Sequence, residues 1–586
     1  MNHFSETQDK LDRLIPIPAD LPRLYLFGDT GTGKTSLVRQ ILGTRSLNFP
    51  SVRRKRTTVV PTEYLITSDG GFKAAVLLKS NEEVQKTIAE ILEDALFNAF
   101  KAQLAGHLDI DQVIENIGES PDQRFRLRYI LPSDSQRTYA DMIVHDFLPI
   151  IVDWIQNNFP DEQDVDGVFE LAVGETLAEK LNSLQTEILS FINGRVREKT
   201  GKDLADGTVV IEHKTLQDFI DMLKPLLAAE PNSLSPVVRY SRIQGPFRSN
   251  WLADEAIDLV LTDGEGIGHD TREDKMLSSR HLDYFYRSDL IVLVEDSERP
   301  FTGAGKAAIA GVVRNGYLPR FHLCFCRLDL VEGEDRRTQI SDVNAGLRNV
   351  LNSLSDENVT MNRNDLSISY VSHLDKASPD DESVKTIVQL LRTVRDSTRK
   401  AKGVFVRPQY DFELIAAFLD HATQAFRKLW NDYLFGHGGP KQPWQTVKAF
   451  NRRMVWREDG YKSLQPISEL HGEIMKRLSP YFASVKKWDK VVTVRLQQSS
   501  VDSLRQEFAQ LLKEMIRETL IAAKYGNWEN ALELSGRGST FDRAHRIGRI
   551  ITEVAPPLTA SDAAWIKDKI KHLVGESIEI CLQKAE

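Results

Sequence analysis

Cysteine is scarce in this chain. Only Cys324, Cys326 and Cys581 occur in 586 residues, too few for a disulfide framework and without the spacing of a zinc site. A reducing compartment, the cytoplasm, is therefore the expected setting. Cys324 and Cys326 lie two apart in an apolar run and are expected to pack on one face of a strand. Long apolar runs are missing as well. The longest, Ile143 to Ile155, is interrupted by His145, Asp146 and Asp153, falls short of the roughly 20 residues that span a bilayer, and reads as a buried helix. Met1 to Pro22 mixes Asp9, Lys10, Asp12 and Arg13 into its apolar residues, so no secretion-signal core is expected there. Excess positive charge is absent too. The net charge of -9 argues against nucleic-acid binding through overall charge, and an anionic ligand must be held locally. No repeat of fixed period is visible, which disfavours a solenoid. The eight tryptophans show no spacing typical of a membrane-inserting tip and are expected in cores and interfaces.

What is present is an ordinary globular composition, 41% apolar and 27% charged, which excludes a disordered or fibrous chain. At roughly 150 residues per domain the length asks for three or four folding units. Leu24 to Ser36 reads as strand, glycine loop and the start of a helix over 34–42. Val59 to Thr67 and Phe72 to Leu78 are β-like runs split by Ser68-Asp69-Gly70-Gly71, the pattern of a hairpin. From about 81 to 230 the period becomes helical, with Val84, Ile88, Ile91, Leu92, Ala95 and Leu96 on one face and comparable patterns over 136–158, 174–198 and 214–228. Strands return at Pro236 to Ile243, Ala256 to Thr262, Leu290 to Glu295, Phe321 to Phe325 and Leu366 to Val371, alternating with helices over 304–315, 341–353 and 382–399. Helical periods then cover 411–435, 465–478, 498–524 and 561–584.

The fold class expected is an α/β domain with a mostly parallel sheet flanked by helices, a large inserted helical block and an α-helical C-terminal region. Its boundaries are an N-terminal segment 1–22, a first α/β part 23–80, the insertion 81–235, a second α/β part 236–400 and a C-terminal helical domain 405–586. Such an insertion costs little in loop closure if it leaves and re-enters at a sheet edge.

Gly28-Asp29-Thr30-Gly31-Thr32-Gly33-Lys34-Thr35-Ser36 fits the pattern GxxxxGK followed by Ser or Thr, between an apolar strand and a helix, which is the context that confirms a phosphate-binding loop. The glycines let backbone N–H groups wrap phosphates, the helix N-terminus adds positive potential, Lys34 reaches the β/γ-phosphates and the Thr35 hydroxyl can ligate Mg²⁺. Ile257 to Leu261 runs as an apolar strand into Thr262-Asp263-Gly264-Glu265-Gly266, a DxxG sequence that a plain strand-end turn would explain equally well. Asp263 can hold Mg²⁺ through water and the Gly266 N–H can meet the γ-phosphate. After the strand Phe321 to Phe325 comes Cys326-Arg327-Leu328-Asp329, and after Leu366 to Val371 comes Ser372-His373-Leu374.

In this order the elements resemble the P-loop GTPase superfamily of the TRAFAC class, over about 23–80 and 236–400. Arg327 to Asp329 stands where the guanine-reading [N/T]KxD motif belongs, which implies that Asp329 accepts from guanine N1–H and its 2-amino group while the Arg327 stem stacks on the base. Ser372 and His373 stand where a loop under the base belongs. Arg56-Thr57-Thr58-Val59-Val60-Pro61-Thr62-Glu63 resembles switch I and the following strand of bacterial dynamin-like proteins, implying that Thr58 closes on Mg²⁺. The chain departs from that family in its interrupted GTPase core and in its variable loop positions 29–32.

The resemblance implies Mg²⁺-dependent binding of GTP and GDP and slow hydrolysis, since Ile267 stands where Ras-like enzymes carry a water-positioning glutamine. Glu265 and His269 flank that position and read equally as solvated loop residues. The run Arg53-Arg54-Lys55-Arg56 offers Arg56 as an arginine supplied in cis or across a dimer, and reads otherwise as a solvated basic loop. Lys34, Thr58, Arg56 and Glu265 are thus the catalytic candidates. Arg124 to Arg128 alternates arginine with apolar residues, as a partner surface or as snorkelling arginines at an element edge. The function expected is a nucleotide-gated switch or assembly motor, a homodimer or a partner-binding protein acting through its GTPase face and helical regions, as in multi-gene bacterial stress or anti-phage systems. A dynamin-like membrane-remodelling GTPase and a P-loop ATPase with a degenerate base-reading motif are the alternatives.

Overall fold

The computed structural model describes residues 3–50, 60–68, 70–118, 126–160, 165–252, 258–267, 277–301, 304–357, 359, 361, 363–399, 404–439, 441–559 and 564–585. Its strands are Arg23–Gly28 (β1), Thr62–Ile66 (β2), Phe72–Leu78 (β3), Thr208–His213 (β4), Val238–Gly245 (β5), Leu259–Gly266 (β6), Leu290–Asp296 (β7), Phe321–Cys326 (β8), Ser367–Tyr370 (β9), Pro408–Gln409 (β10) and Lys487–Trp488 (β11). The chain divides into two compact units, one comprising Met1–Pro18, Ile41–Ser249 and Glu533–Arg543, the other Ala19–Gln40, Asn250–Leu532 and Ala544–Glu586.

The second unit carries the glycine loop Gly28 to Ser36. Its strands run in the order β6-β1-β7-β8-β9, and every pair is parallel. Parallel strands covered on both faces need near-continuous apolar runs. Leu24 to Phe27, Leu290 to Val294 and Phe321 to Cys326 supply them, all buried. Helices Ser279–Arg287, Ala304–Arg314, Arg336–Asp356 and Asp381–Arg399 alternate with these strands; the last three lie close to the segments expected, and Ser279–Arg287 is one the periodicity does not single out.

The helices from Ile415–Phe435 onward share one apolar core in which Trp430, Phe450, Phe482, Phe508 and Trp528 are buried. Trp444–Val455, Tyr525–Leu532 and Ser539–Val554 are helices that the periodicity did not single out. Helix Val494–Arg517 bonds directly to the α/β part: Glu507 accepts from the Tyr286 hydroxyl at 2.8 Å and from the Lys584 ammonium at 2.6 Å, and the Gln506 amide donates to the Gly316 carbonyl at 2.6 Å.

In the first unit the strand order is β4-β3-β5-β2, with β2 parallel to β5 and β3 antiparallel to both neighbours. The expected hairpin of β2 with β3 is therefore corrected, because β5 lies between them and takes the ladder bonds of each. β4 is a second correction, a strand inside the block expected to be helical; only Val209 and Ile211 face inward, while Val210 and Glu212 are exposed.

Helix Asn81–Leu104 begins with a Ser80–Glu83 capping box and buries the apolar stripe anticipated for it. The run at 143–155 is a π-turn Met142–Phe147 continued by helix Leu148–Asn158. Arg126 is buried with its guanidinium donating to the Tyr129 hydroxyl at 3.2 Å, whereas Arg128 is exposed with its guanidinium over the same ring; Arg124 and Phe125 lie outside the described residues. No helix among the described residues is long and apolar enough to cross a membrane.

Helix His3–Leu14 is tied to the first unit by the fully buried Arg242 of β5. Its guanidinium donates to Glu63 Oε2 at 2.8 Å, Asp12 Oδ1 at 2.5 Å, Gln8 Oε1 at 2.7 Å and the Ile15 carbonyl at 2.7 Å. Burial alone would lower the Arg242 pKa, and the two carboxylates more than reverse this and raise it.

Candidate functional site

The loop Gly28 to Ser36 leaves β1, and its helix, Lys34–Leu42, begins at the residue expected. A Cβ on Gly28, at φ +146°, would lie 2.2 Å from the Val294 carbonyl oxygen. One on Gly33, at φ +105°, would lie 2.9 Å from Cys326 Cβ, so both positions demand glycine for conformation and for space. The Asp29 carboxylate accepts the Thr30 N–H at 2.7 Å, and the Thr32 hydroxyl donates to the Asp29 carbonyl at 2.9 Å. The buried Lys34 ammonium donates to the carbonyls of Gly28 at 2.9 Å and Asp29 at 2.6 Å, winding the loop around itself. Thr35 is buried beside it, Ser36 and Thr30 are half-buried, and Gly31 is exposed at the crest.

β6 lies directly beside β1 and sets Asp263 opposite Leu26. The DxxG sequence does not form a plain strand-end turn. It continues the strand to Gly266, which stands opposite Gly28 after a register irregularity, and the Ile267 N–H donates to the Gly28 carbonyl at 3.1 Å. Glycine permits this, because a Cβ on Gly264 would meet the Tyr25 hydroxyl at 2.5 Å and one on Gly266 the Thr30 hydroxyl at 3.1 Å. Burial lowers the Lys34 pKa, against the raising pull of Asp263, then Asp29, then Glu295.

Glu295, at the end of β7, was not singled out in the sequence. Its Oε2 accepts the Phe301 N–H at 3.1 Å, and its Oε1 packs against Gly305 without a hydrogen-bond partner among the described residues. Burial pushes its carboxyl up to about 7. Cys326 is expected from the sequence to pack in its strand, and its side chain also lies under Gly33. Its contact with Cys324, together with burial, pushes its thiol up.

The other motifs meet at the ends of β8 and β9. Asp329 Oδ1 accepts the His373 backbone N–H at 2.9 Å, and its Oδ2 lies 3.5 Å from His373 Nδ1. Ligand atoms of Asp329, His373 and Asp375 all lie within 4.8 Å of one another. The Arg327 guanidinium pairs with Asp296 at 2.5 Å and Glu298 at 3.6 Å, which leaves its aliphatic stem as what it can offer a base. Ser372 is braced by Arg336, whose guanidinium donates to its hydroxyl at 2.9 Å, and by Asp380 and Ser383. Gln40, on the loop's own helix, donates to the carbonyls of Leu374 at 3.1 Å and Lys376 at 2.8 Å, joining the two halves of the site. Gln40, Arg336 and Asp380 carry no motif, and no sequence signal marked them.

Arg53 to Val59, including Arg56 and Thr58, together with His269 and the Glu265 side chain, lie outside the described residues. The residues present fit a magnesium–nucleotide ligand: a cradle too tight for side chains at Gly28 and Gly33, one buried ammonium, the Thr35 hydroxyl and the Asp263 carboxylate.

No family model matches the chain, and no curated protein matches it. Among solved structures it is similar to two chains of an oligomerised bacterial dynamin pair, described as providing a mechanism for long-range sensing and tethering of membranes. They align over 99% of this chain and 75% of theirs, at 13% and 12% identity with TM-scores of 0.31 and 0.32.

Proposed function

We propose that the chain is a Mg²⁺-dependent guanine-nucleotide-binding protein that hydrolyses the β–γ phosphoanhydride of GTP and acts as a nucleotide-gated switch, with its helical regions contacting partners. The observation that carries this reading is the adjacency of β1 and β6, which sets the Asp263 carboxylate beside Lys34 beneath the glycine loop.

In this reading the N–H groups of Asp29 to Ser36 bind the phosphates, and Lys34 exchanges its two loop carbonyls for β/γ-oxygens. Thr35 and Asp263 hold Mg²⁺, directly and through water, with Thr58 as a further ligand. The metal supplies charge compensation on the phosphates. Gly266 donates its N–H to the γ-phosphate. Arg56 supplies a cation to the transferring phosphoryl group and Glu265 orients the attacking water. Asp329 reads guanine, helped by the stem of Arg327, with Ser372 and His373 shaping the loop beneath the base. Since Ile267 is buried and apolar, turnover is slow until assembly or a partner completes the site.

Lys34→Ala tests the phosphate site. It is expected to weaken binding of a fluorescent GDP by more than about tenfold with the melting curve preserved. A folded variant that binds GDP as the parent does would overturn the reading.

A further inference from the structure

Asp329, His373 and Asp375 each bring one ligand atom to within 4.8 Å of the others, and Asp375 has no part in the nucleotide reading. The loop that carries two of them is braced. Its His373 backbone N–H donates to Asp329 Oδ1 at 2.9 Å, and its carbonyls of Leu374 and Lys376 accept from the Gln40 amide at 3.1 and 2.8 Å. The Lys376 N–H returns to the His373 carbonyl at 3.0 Å.

The side chains do not satisfy one another. Asp329 Oδ2 and His373 Nδ1 stand 3.5 Å apart, beyond the roughly 2.7–3.2 Å of a good N–H···O bond. Two ligands at about 2.0–2.1 Å on a tetrahedral ion are about 3.3–3.4 Å apart, so this separation fits the edge of a zinc site. Nor does a cation of the chain neutralise the two carboxylates. Among the described residues neither Asp329 nor Asp375 pairs with a lysine or arginine. Arg327 turns to Asp296 and Glu298, and Arg336 to Ser372, the Tyr370 carbonyl and Asp380. The place is also open to solvent. Asp375 is exposed, and the side chains of His373 and Asp329 keep 34% and 20% of their accessibility, which gives an ion an entry path and leaves room for a water ligand.

We propose that Asp329, His373 and Asp375 form a Zn²⁺ site with water in the fourth position, and that the ion and a guanine base exclude each other there. An imidazole ligand suits Zn²⁺, whereas Mg²⁺ takes six oxygens and keeps several of its waters. With Oδ1 on the His373 N–H and Oδ2 on Zn²⁺, Asp329 has lost the charge and the lone pairs that guanine N1–H and the 2-amino group need. Zinc therefore opposes guanine-nucleotide binding at the base, and not at Thr35 or Asp263. The exclusion rests on the proposed reading of guanine by Asp329; the metal site does not.

The test is zinc binding by the nucleotide-free full chain, stripped with a chelator and kept in excess Mg²⁺, read by competition with a chromophoric zinc chelator. The parent is expected to take up Zn²⁺, and Co²⁺ in its place to show the intense visible bands of four-coordination. Loss of an outer partner of a metal ligand already costs about 10–100-fold in affinity. Asp375→Asn and His373→Ala, which each remove a ligand itself, should each lose at least about tenfold with unchanged melting. Without zinc, Asp375→Asn should bind fluorescent GDP as the parent does; with zinc, it should escape the weakening that the parent shows. No uptake by the parent, six-coordinate Co²⁺, or uptake that Asp375→Asn leaves unchanged would each overturn the site. Uptake through these residues with GDP affinity untouched would overturn the exclusion. A parent that takes up zinc but binds no GDP would overturn the nucleotide reading and the exclusion that rests on it, and not the site.

Discussion

The Asp329 carboxylate accepts the His373 backbone N–H at 2.9 Å, joining two loops 44 residues apart at the ends of neighbouring parallel strands. The carboxylate expected to read a base and the loop expected to lie beneath it thus position each other. Asp329→Asn turns one acceptor oxygen into a donor facing guanine N1–H or the 2-amino group. Charge-assisted bonds of this kind are worth about 1.5–3 kcal/mol, so GTP affinity should fall at least about tenfold while xanthosine triphosphate gains. Competition against a fluorescent nucleotide measures both.

Arg242 is a fully buried cation with four acceptors, and of its two carboxylate partners Glu63 is buried while Asp12 is half-exposed. Removing one partner of a buried pair strands the other, at about 3–5 kcal/mol. Arg242→Ala should therefore lower the urea midpoint of the first unit strongly, whereas Arg242→Met with Glu63→Leu should recover part of the loss because neither charge remains. Chemical denaturation followed by circular dichroism separates the two cases.

Glu295 gives a pH dependence of definite sign. Its folded-state pKa is raised from 4.5 to about 7, so the folded state holds the proton more tightly than the unfolded one. That contribution is fully present below pH 4.5 and is lost as pH rises through about 7, amounting to up to about 3 kcal/mol. Glu295→Gln should gain stability over the parent as pH rises from 5 to 8. His322 and His471, whose pKa values burial lowers to about 4, act in the opposite sense and cancel in that difference. Equal slopes for variant and parent in paired melts across this range would refute the assignment.

The parts of the site built from contiguous sequence were legible. The loop, the helix start at Lys34 and the apolar strands β1, β7 and β8 all follow from glycine spacing and unbroken hydrophobic runs. What depended on distant partners was not. β2 and β3 looked like a hairpin because the strand that separates them, β5, lies far along the chain. Gly264 and Gly266 carried a turn signal, yet they serve a strand that must pass close to Tyr25 and Thr30. Gln40 is an unremarkable helical residue until the fold brings the carbonyls of Leu374 and Lys376 to its amide. Asp375 is likewise unmarked in the sequence, since what it offers depends on the loops that bring it to Asp329 and His373.

Competition between GTP and ATP for the purified chain with Mg²⁺ present tests the base-reading role of Asp329. GTP is expected to displace a bound fluorescent guanine nucleotide at concentrations at least about tenfold lower than ATP, and Asp329→Asn to remove the difference. Displacement by ATP at equal or lower concentration would contradict the guanine-reading role of Asp329 and leave a P-loop site of the adenine-nucleotide kind.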